Sequence, residues 1–161
     1  LRGDNSWQEA GGGVVVQMVH TSDTAVSTST TTTPLDDTIP QNTEGAEYLT
    51  LSITPTNASN QLVIEGLQIV AVSVGRQVIG GVFQDSTANA VYVFSKYVSA
   101  ANATNQVNFR YVMTAGTTSS TSFSIRMGLN TTGTLTYNGA GGSREFGGVA
   151  KSTLMITEIA V

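Results

Sequence analysis

The chain has no cysteine, so disulfides and thiolate metal sites are excluded and cysteine usage says nothing of its redox compartment. Charge is scarce: 7 Lys and Arg stand against 11 Asp and Glu, a formal net charge of -4. Without a basic excess there is no counterion-release route to nucleic acid or to an anionic membrane. No apolar run approaches the roughly 18 residues of a spanning helix, and the first residues do not read as a signal peptide. Helix formers do not recur at helical spacing in any useful window. Prolines number only 3 and there is 1 histidine.

What fills the space is hydroxyl. The 161 residues include 24 threonines and 16 serines. Thr and Val are β-branched and suit a pleated surface, while the Gly, Asn and Ser clusters between them supply turns. At this length one domain with a short leader is expected, able to bury about two thirds of its unfolded surface. Residues 1–13 read as a leader, polar to Ala10 and then a joint of Gly11, Gly12 and Gly13. The body spans 14–161.

Val14 to His20 reads as a strand, and Thr21 to Thr33 as an edge strand or surface loop. Pro34 and Pro40 bracket a loop. Leu49, Leu51 and Ile53 alternate with Thr50, Ser52 and Thr54, the period-two pattern of a half-buried strand, which Pro55 to Asn60 ends in a turn. Leu62 to Val74 is apolar on both parities and predicts a central strand, bent or bulged near Gly66. Val78 to Gln84 and Val91 to Tyr97 follow. Val107 to Met113 and Phe123 to Leu129 alternate most clearly, with Ala115 to Ser120 between them as a hairpin loop. Leu135 to Tyr137 is a short strand, Asn138 to Gly142 a glycine-rich turn and Thr153 to Ile159 a closing strand. Strands at this spacing predict an all-β fold, an antiparallel β-sandwich of jelly-roll type.

No catalytic constellation stands out. One histidine and scattered carboxylates do not make a triad, a zinc site or a paired acid and base, so no enzyme, metal or cofactor is expected. His20 reads as structural or exposed, although a trimer could gather three copies near an axis. Asp36-Asp37 reads as a solvated turn rather than a calcium loop. The sequons at Asn57, Asn102 and Asn130 are the matches that a chain rich in Asn, Ser and Thr produces by chance. Arg2-Gly3-Asp4 spells an integrin-ligand tripeptide, a three-residue signal. Charges inside strands are more informative: Glu65, Arg110, Arg126 and Glu158 are read as solvated or as subunit-interface residues, with Arg110 and Arg126 neighbours if their strands pair.

Several stretches together resemble the C-terminal domain of tailed-bacteriophage fibre proteins. Leu1-Arg2-Gly3-Asp4-Asn5-Ser6-Trp7-Gln8 resembles the fibre leader "L-x-G-D-G-x-W", with Asn5 in place of its second glycine. Val15 to Val19 is similar to the first strand of those domains, and Leu35-Asp36-Asp37-Thr38-Ile39-Pro40-Gln41-Asn42-Thr43-Glu44-Gly45 to their most distinctive stretch. Leu51-Ser52-Ile53-Thr54-Pro55 with Ser59 to Leu62 resembles a turn between strands, and Ser152 to Ile159 the closing strand. The resemblance covers nearly the whole chain. It implies a homotrimeric tip of a tail or head fibre, exposed on the virion, and makes Arg2-Gly3-Asp4 a leader remnant.

A hydroxyl-rich, charge-poor surface suits binding of neutral or zwitterionic glycans by hydrogen bonds and aromatic stacking, with weak contacts multiplied over several fibres. The expected activity is non-enzymatic attachment to a bacterial cell-surface glycan, capsule or lipopolysaccharide. The candidate contacts are Tyr92, Tyr97, Tyr137, Asn138 and Arg144, the last two in an exposed glycine-rich loop. The alternatives are a purely structural trimerisation and capping domain and a monomeric carbohydrate-binding module. A depolymerase needs a longer, carboxylate-lined body.

Overall fold

The computed structural model describes residues 13–161, so most of the leader, including Arg2-Gly3-Asp4, lies outside the described residues. Twelve strands follow one another: β1 (Val15–Asp23), β2 (Ser27–Ser29), β3 (Ala46–Ile53), β4 (Gln61–Val72), β5 (Arg76–Gln84), β6 (Tyr92–Val98), β7 (Asn105–Thr114), β8 (Thr121–Leu129), β9 (Leu135–Tyr137), β10 (Gly139–Ala140), β11 (Ser143–Arg144) and β12 (Ser152–Ile159). A single turn of 3-10 helix, Phe146–Gly148, precedes β12.

The long strands form two antiparallel sheets. One runs β1-β12-β4 and continues to β7; the other runs β3-β8-β5-β6. If only the eight strands of seven residues or more are numbered in chain order, the sheets read one-eight-three-six and two-seven-four-five. That connectivity is the jelly roll that strand spacing led us to expect. β9 pairs with the end of β4 through Val70–Val72, beyond the stretch that β12 occupies, and β2 adds to β9.

Period-two alternation decides which side chains face inward. In the first sheet the register lines up Val19, Ile156, Ile64 and Tyr111 on the inner face. The adjacent row, Met18, Thr157, Val63 and Val112, faces out, as does the row of His20, Met155, Glu65 and Arg110. The inner row meets Leu49, Val78, Val82, Phe94, Phe123, Ile125 and Met127 of the second sheet in one core.

Two expectations are corrected. β4 is not bulged at Gly66, because its ladder with β7 runs unbroken from Gln61 to Val70. The glycine is there for space: the ring of its cross-strand partner Phe109 lies over it, where an added Cβ would sit 2.3 Å from Cε1. Phe94 covers its own partner Gly80 in the second sheet in the same way, and the two rings stack at 4.6 Å and 9°. The segment Ala115–Ser120 is likewise not a hairpin loop. β7 pairs with β4, whereas β8 lies between β3 and β5, so the segment crosses from one sheet to the other.

Candidate functional site

The segment between β2 and β3 is laid over the outer face of the second sheet. At its start, Thr33 N–H donates to the Leu129 carbonyl at 3.0 Å and Gly45 N–H to the Thr32 carbonyl at 3.1 Å. Gly128 permits this contact, since a Cβ there would meet the Thr33 amide nitrogen at 2.8 Å. Arg126 then holds the far end. Its Nε donates to the Glu44 carbonyl at 3.1 Å, its Nη2 to the Gly45 carbonyl at 2.9 Å, and its Nη1 pairs with Glu47 Oε2 at 3.3 Å. A planar guanidinium can serve three acceptors in one plane, which a lysine cannot.

A second set of bonds ties the segment to the connection between β5 and β6. Ala90 N–H donates to the Pro40 carbonyl at 2.9 Å, Asn42 N–H to the Ala88 carbonyl at 2.8 Å, and Gln41 Nε2 to Asn89 Oδ1 at 2.9 Å. Between these anchors Pro34 to Pro40 forms an arch. It encloses, against β5 and β6, a groove of about 410 Å³.

Leu35, Asp36, Thr38 and Ile39 line the groove from the arch, and Ile79, Tyr92, Val93 and Ser95 from the sheet. Leu35 and Ile39 are 65% and 54% exposed. Asp36 Oδ1 accepts from Thr38 N–H at 2.9 Å and from its hydroxyl at 2.6 Å. Those bonds, the hydroxyl's first, hold the Asp36 carboxyl below its ordinary range, so the rim is negative at neutral pH. No Lys or Arg lines the groove. The arrangement offers apolar walls with a few polar groups, the usual composition of a small-ligand site.

Of the five glycan candidates, the structure brings Tyr92 and Tyr97 to this region. Tyr92 borders the groove and is half-buried, but its ring takes the inward parity of β6 with Phe94 and stacks on inner-face Tyr111 at 5.1 Å, so it offers the groove no ring face. Tyr97, 61% exposed, follows Val93 and Ser95 on the outward parity of β6.

Tyr137 and Asn138 are corrected, because both are interior. Tyr137 is fully buried against Tyr48 at 4.4 Å and donates its hydroxyl to Gln68 Oε1 at 3.0 Å; burial pushes that phenol well up. Asn138, at φ 56°, is a clamp rather than an exposed loop residue. Its Nδ2 donates to the Asp23 and Ala25 carbonyls at 3.0 and 3.1 Å, and its Oδ1 accepts from Ser152 N–H and hydroxyl at 3.0 and 2.7 Å. Arg144, on the hairpin that follows, is exposed as expected, and it does not line the groove.

The four strand charges also separate. Arg110 and Arg126 are not neighbours, since β7 and β8 belong to different sheets. Arg126 serves the covering segment of its own chain. Glu158 is fully buried and accepts from Gln17 Nε2 at 2.6 Å, Thr56 N–H and hydroxyl at 2.8 Å each, and Asn60 Nδ2 at 2.6 Å. Burial alone would raise its carboxyl, yet these donors outweigh it and hold the pKa down at about 2. Glu65 and Arg110 are cross-strand partners, 3.6 Å apart, on the open outer face of the first sheet.

The sequence reading missed Leu35, Ile39 and Val93. The signal was present, since two large apolar residues inside a proline-bracketed loop are out of place unless something covers them.

Fold and site together define a jelly-roll β-sandwich with a grooved outer face. No family model matches the chain, and no curated protein matches it. Among solved structures, the chain is similar to one described as the structure of infectious bursal disease virus Gx strain, at 13% identity and a TM-score of 0.39. The likeness covers 90% of this chain but only 40% of that one.

Proposed function

We propose that this domain is a non-enzymatic attachment module of a phage fibre, a homotrimer displayed on the virion that holds a bacterial surface polysaccharide. The observation that carries the reading is the groove beneath the Pro34 to Pro40 arch, which Leu35, Ile39, Ile79 and Val93 line together with Asp36, Thr38 and Ser95. A pyranose ring has the complementary character, with an apolar face of C–H bonds and an edge of hydroxyls. Exposed Tyr97 extends the surface along β6 for a second sugar. The arch lies in the stretch that resembles the most distinctive segment of fibre-tip domains, Leu35 to Gly45.

Charge refines the ligand. With one carboxylate and no cation in its lining, the groove favours neutral or amine-bearing sugars over uronates and phosphates. Individual contacts are weak, and repetition over several fibres supplies the avidity.

The test is binding to bacterial polysaccharides on an array and adsorption to cells, using Ile39→Asp, Val93→Glu and Tyr97→Ala. All three positions are exposed, so the thermal melt should stay within a few degrees of the parent. Loss of binding with an unchanged melt supports the reading. Binding retained by all three variants overturns it, and if Arg144→Ala then abolishes adsorption the ligand sits at the β10-β11 hairpin.

A further inference from the structure

The two outer faces of the sandwich differ. That of the second sheet is covered by the chain's own segment, so that Ile79 and Phe83, on its outward parity, are only 3% and 2% exposed. That of the first sheet carries no such cover: Met18 and Val112, 58% and 45% exposed, stand on it with half-buried Leu67 and Met155, among Thr157, Thr153 and Asn108. The face is hollowed by about 450 Å³ where His20, Glu65, Leu67 and Met155 meet, and exposed apolar side chains grouped beside such a hollow mark an interaction surface.

Among the described residues the outward rows of this sheet carry three acidic or basic side chains, Glu65, Arg110 and, two strands away on β1, His20; the adjacent pair of opposite charges decides the partner. Glu65 and Arg110 lie side by side on adjacent strands in direct register. Arg110 is 66% exposed and Glu65 35%, so within one chain in water the pair contributes little. Their placement is self-complementary. A rotation axis running along the strands, between β4 and β7, brings the Arg110 of each copy to the Glu65 of the next and keeps like charges apart.

We infer that copies of this chain pack on one another through this outer face around a three-fold axis, each Arg110 meeting the next copy's Glu65 amid Met18, Met155 and Val112. The ring of alternating charges sets register, because wrong rotations oppose like charges, while the apolar residues supply the affinity. A closed cyclic arrangement also removes the open face that would otherwise recruit further copies. The inference rests on the trimer of the reading above, not on its glycan.

Sedimentation equilibrium of the full chain tests it. The parent should run at three times the 16.8 kDa chain mass and persist on dilution. Val112→Lys and Arg110→Glu should each weaken association by roughly tenfold or more, the second by opposing two carboxylates. Combining Arg110→Glu with Glu65→Arg should restore it, with circular dichroism of dilute samples confirming that every variant is folded. A single-chain or two-chain mass for the parent would overturn the inference, as would a trimer whose association Val112→Lys leaves unchanged. Glycan binding that fails while the trimer behaves as described would remove the attachment reading and leave this interface standing.

Discussion

At the residue scale, buried polar groups are where this charge-poor chain is most sensitive. Glu158 is a carboxylate without a cation, held by neutral donors from β1 and from the turn after β3. Its folded pKa of about 2 lies below the ordinary 4.5, so its contribution is complete above pH 4.5 and is lost as pH falls toward 2. Urea titrations should therefore show the parent's midpoint falling through that window, and Glu158→Gln, less stable at pH 7, should show a shallower fall. Equal slopes would mean that other carboxylates govern the acid limb. Tyr48 and Tyr137, packed against each other at a tilt of 31°, make a second contrast. The Tyr48 hydroxyl is buried without a hydrogen bond of good geometry, and burial, offset only in part by the Ser29 hydroxyl nearby, pushes it up to about 12. Tyr48→Phe should be neutral or stabilising by up to about 1 kcal/mol, whereas Tyr137→Phe strands Gln68 Oε1 and should cost about 1–3 kcal/mol. Chemical denaturation of both variants checks the order.

At the element scale, the strands were legible and their partners were not. Val107 to Met113 and Phe123 to Leu129 announce themselves because each buries one parity of side chains, and Phe109 and Ile125 are indeed in the core. Which sheet each joins depends on contacts made far away in sequence, so chain neighbours were mistaken for a hairpin. Tyr137 misled for a different reason: β9 is three residues long and buried throughout, so it has no alternation to read. Gly66 suggests a bend or bulge in β4 from sequence, whereas the deciding fact is the ring of Phe109 on β7. That packing yields a prediction for the pair of elements meeting there. Gly80→Ala places a methyl 2.3 Å from the Phe94 ring, which is itself held by Phe109. The rings cannot move independently, and the substitution should cost about 1–3 kcal/mol or more. Gly80→Ala in a Phe94→Leu background should cost much less, and equal costs in the two backgrounds would show that the ring is not the obstacle. The covering segment depends similarly on Arg126. Arg126→Lys should speed hydrogen exchange at the Gly45 amide while amides inside β8 keep their protection, because only the anchor is lost.

At the scale of the whole molecule, the jelly roll places the last strand inside a sheet rather than at its rim. β12 pairs with β1 on one edge and β4 on the other, and contributes Leu154, Ile156 and Glu158, all fully buried. Without it β1 has no partner in its sheet, Ile64 loses the inward neighbour Ile156, and the turn after β3 loses the carboxylate that holds Thr56 and Asn60. β1 cannot simply inherit the ladder, because it runs parallel to β4 whereas β12 pairs with β4 antiparallel. Local strand propensity cannot compensate, since the core forms only when inner faces from distant parts of the chain meet. A chain ending at Ala150 should therefore lack a cooperative unfolding transition while keeping some strand signal in circular dichroism. Adding residues 151–161 as a separate peptide should restore the transition, because the missing piece is a strand with both edges satisfied on docking. A cooperative melt of the shortened chain by itself would show that the remaining strands hold the sandwich closed, and that the register across β1, β12 and β4 is an addition to the fold rather than its closure.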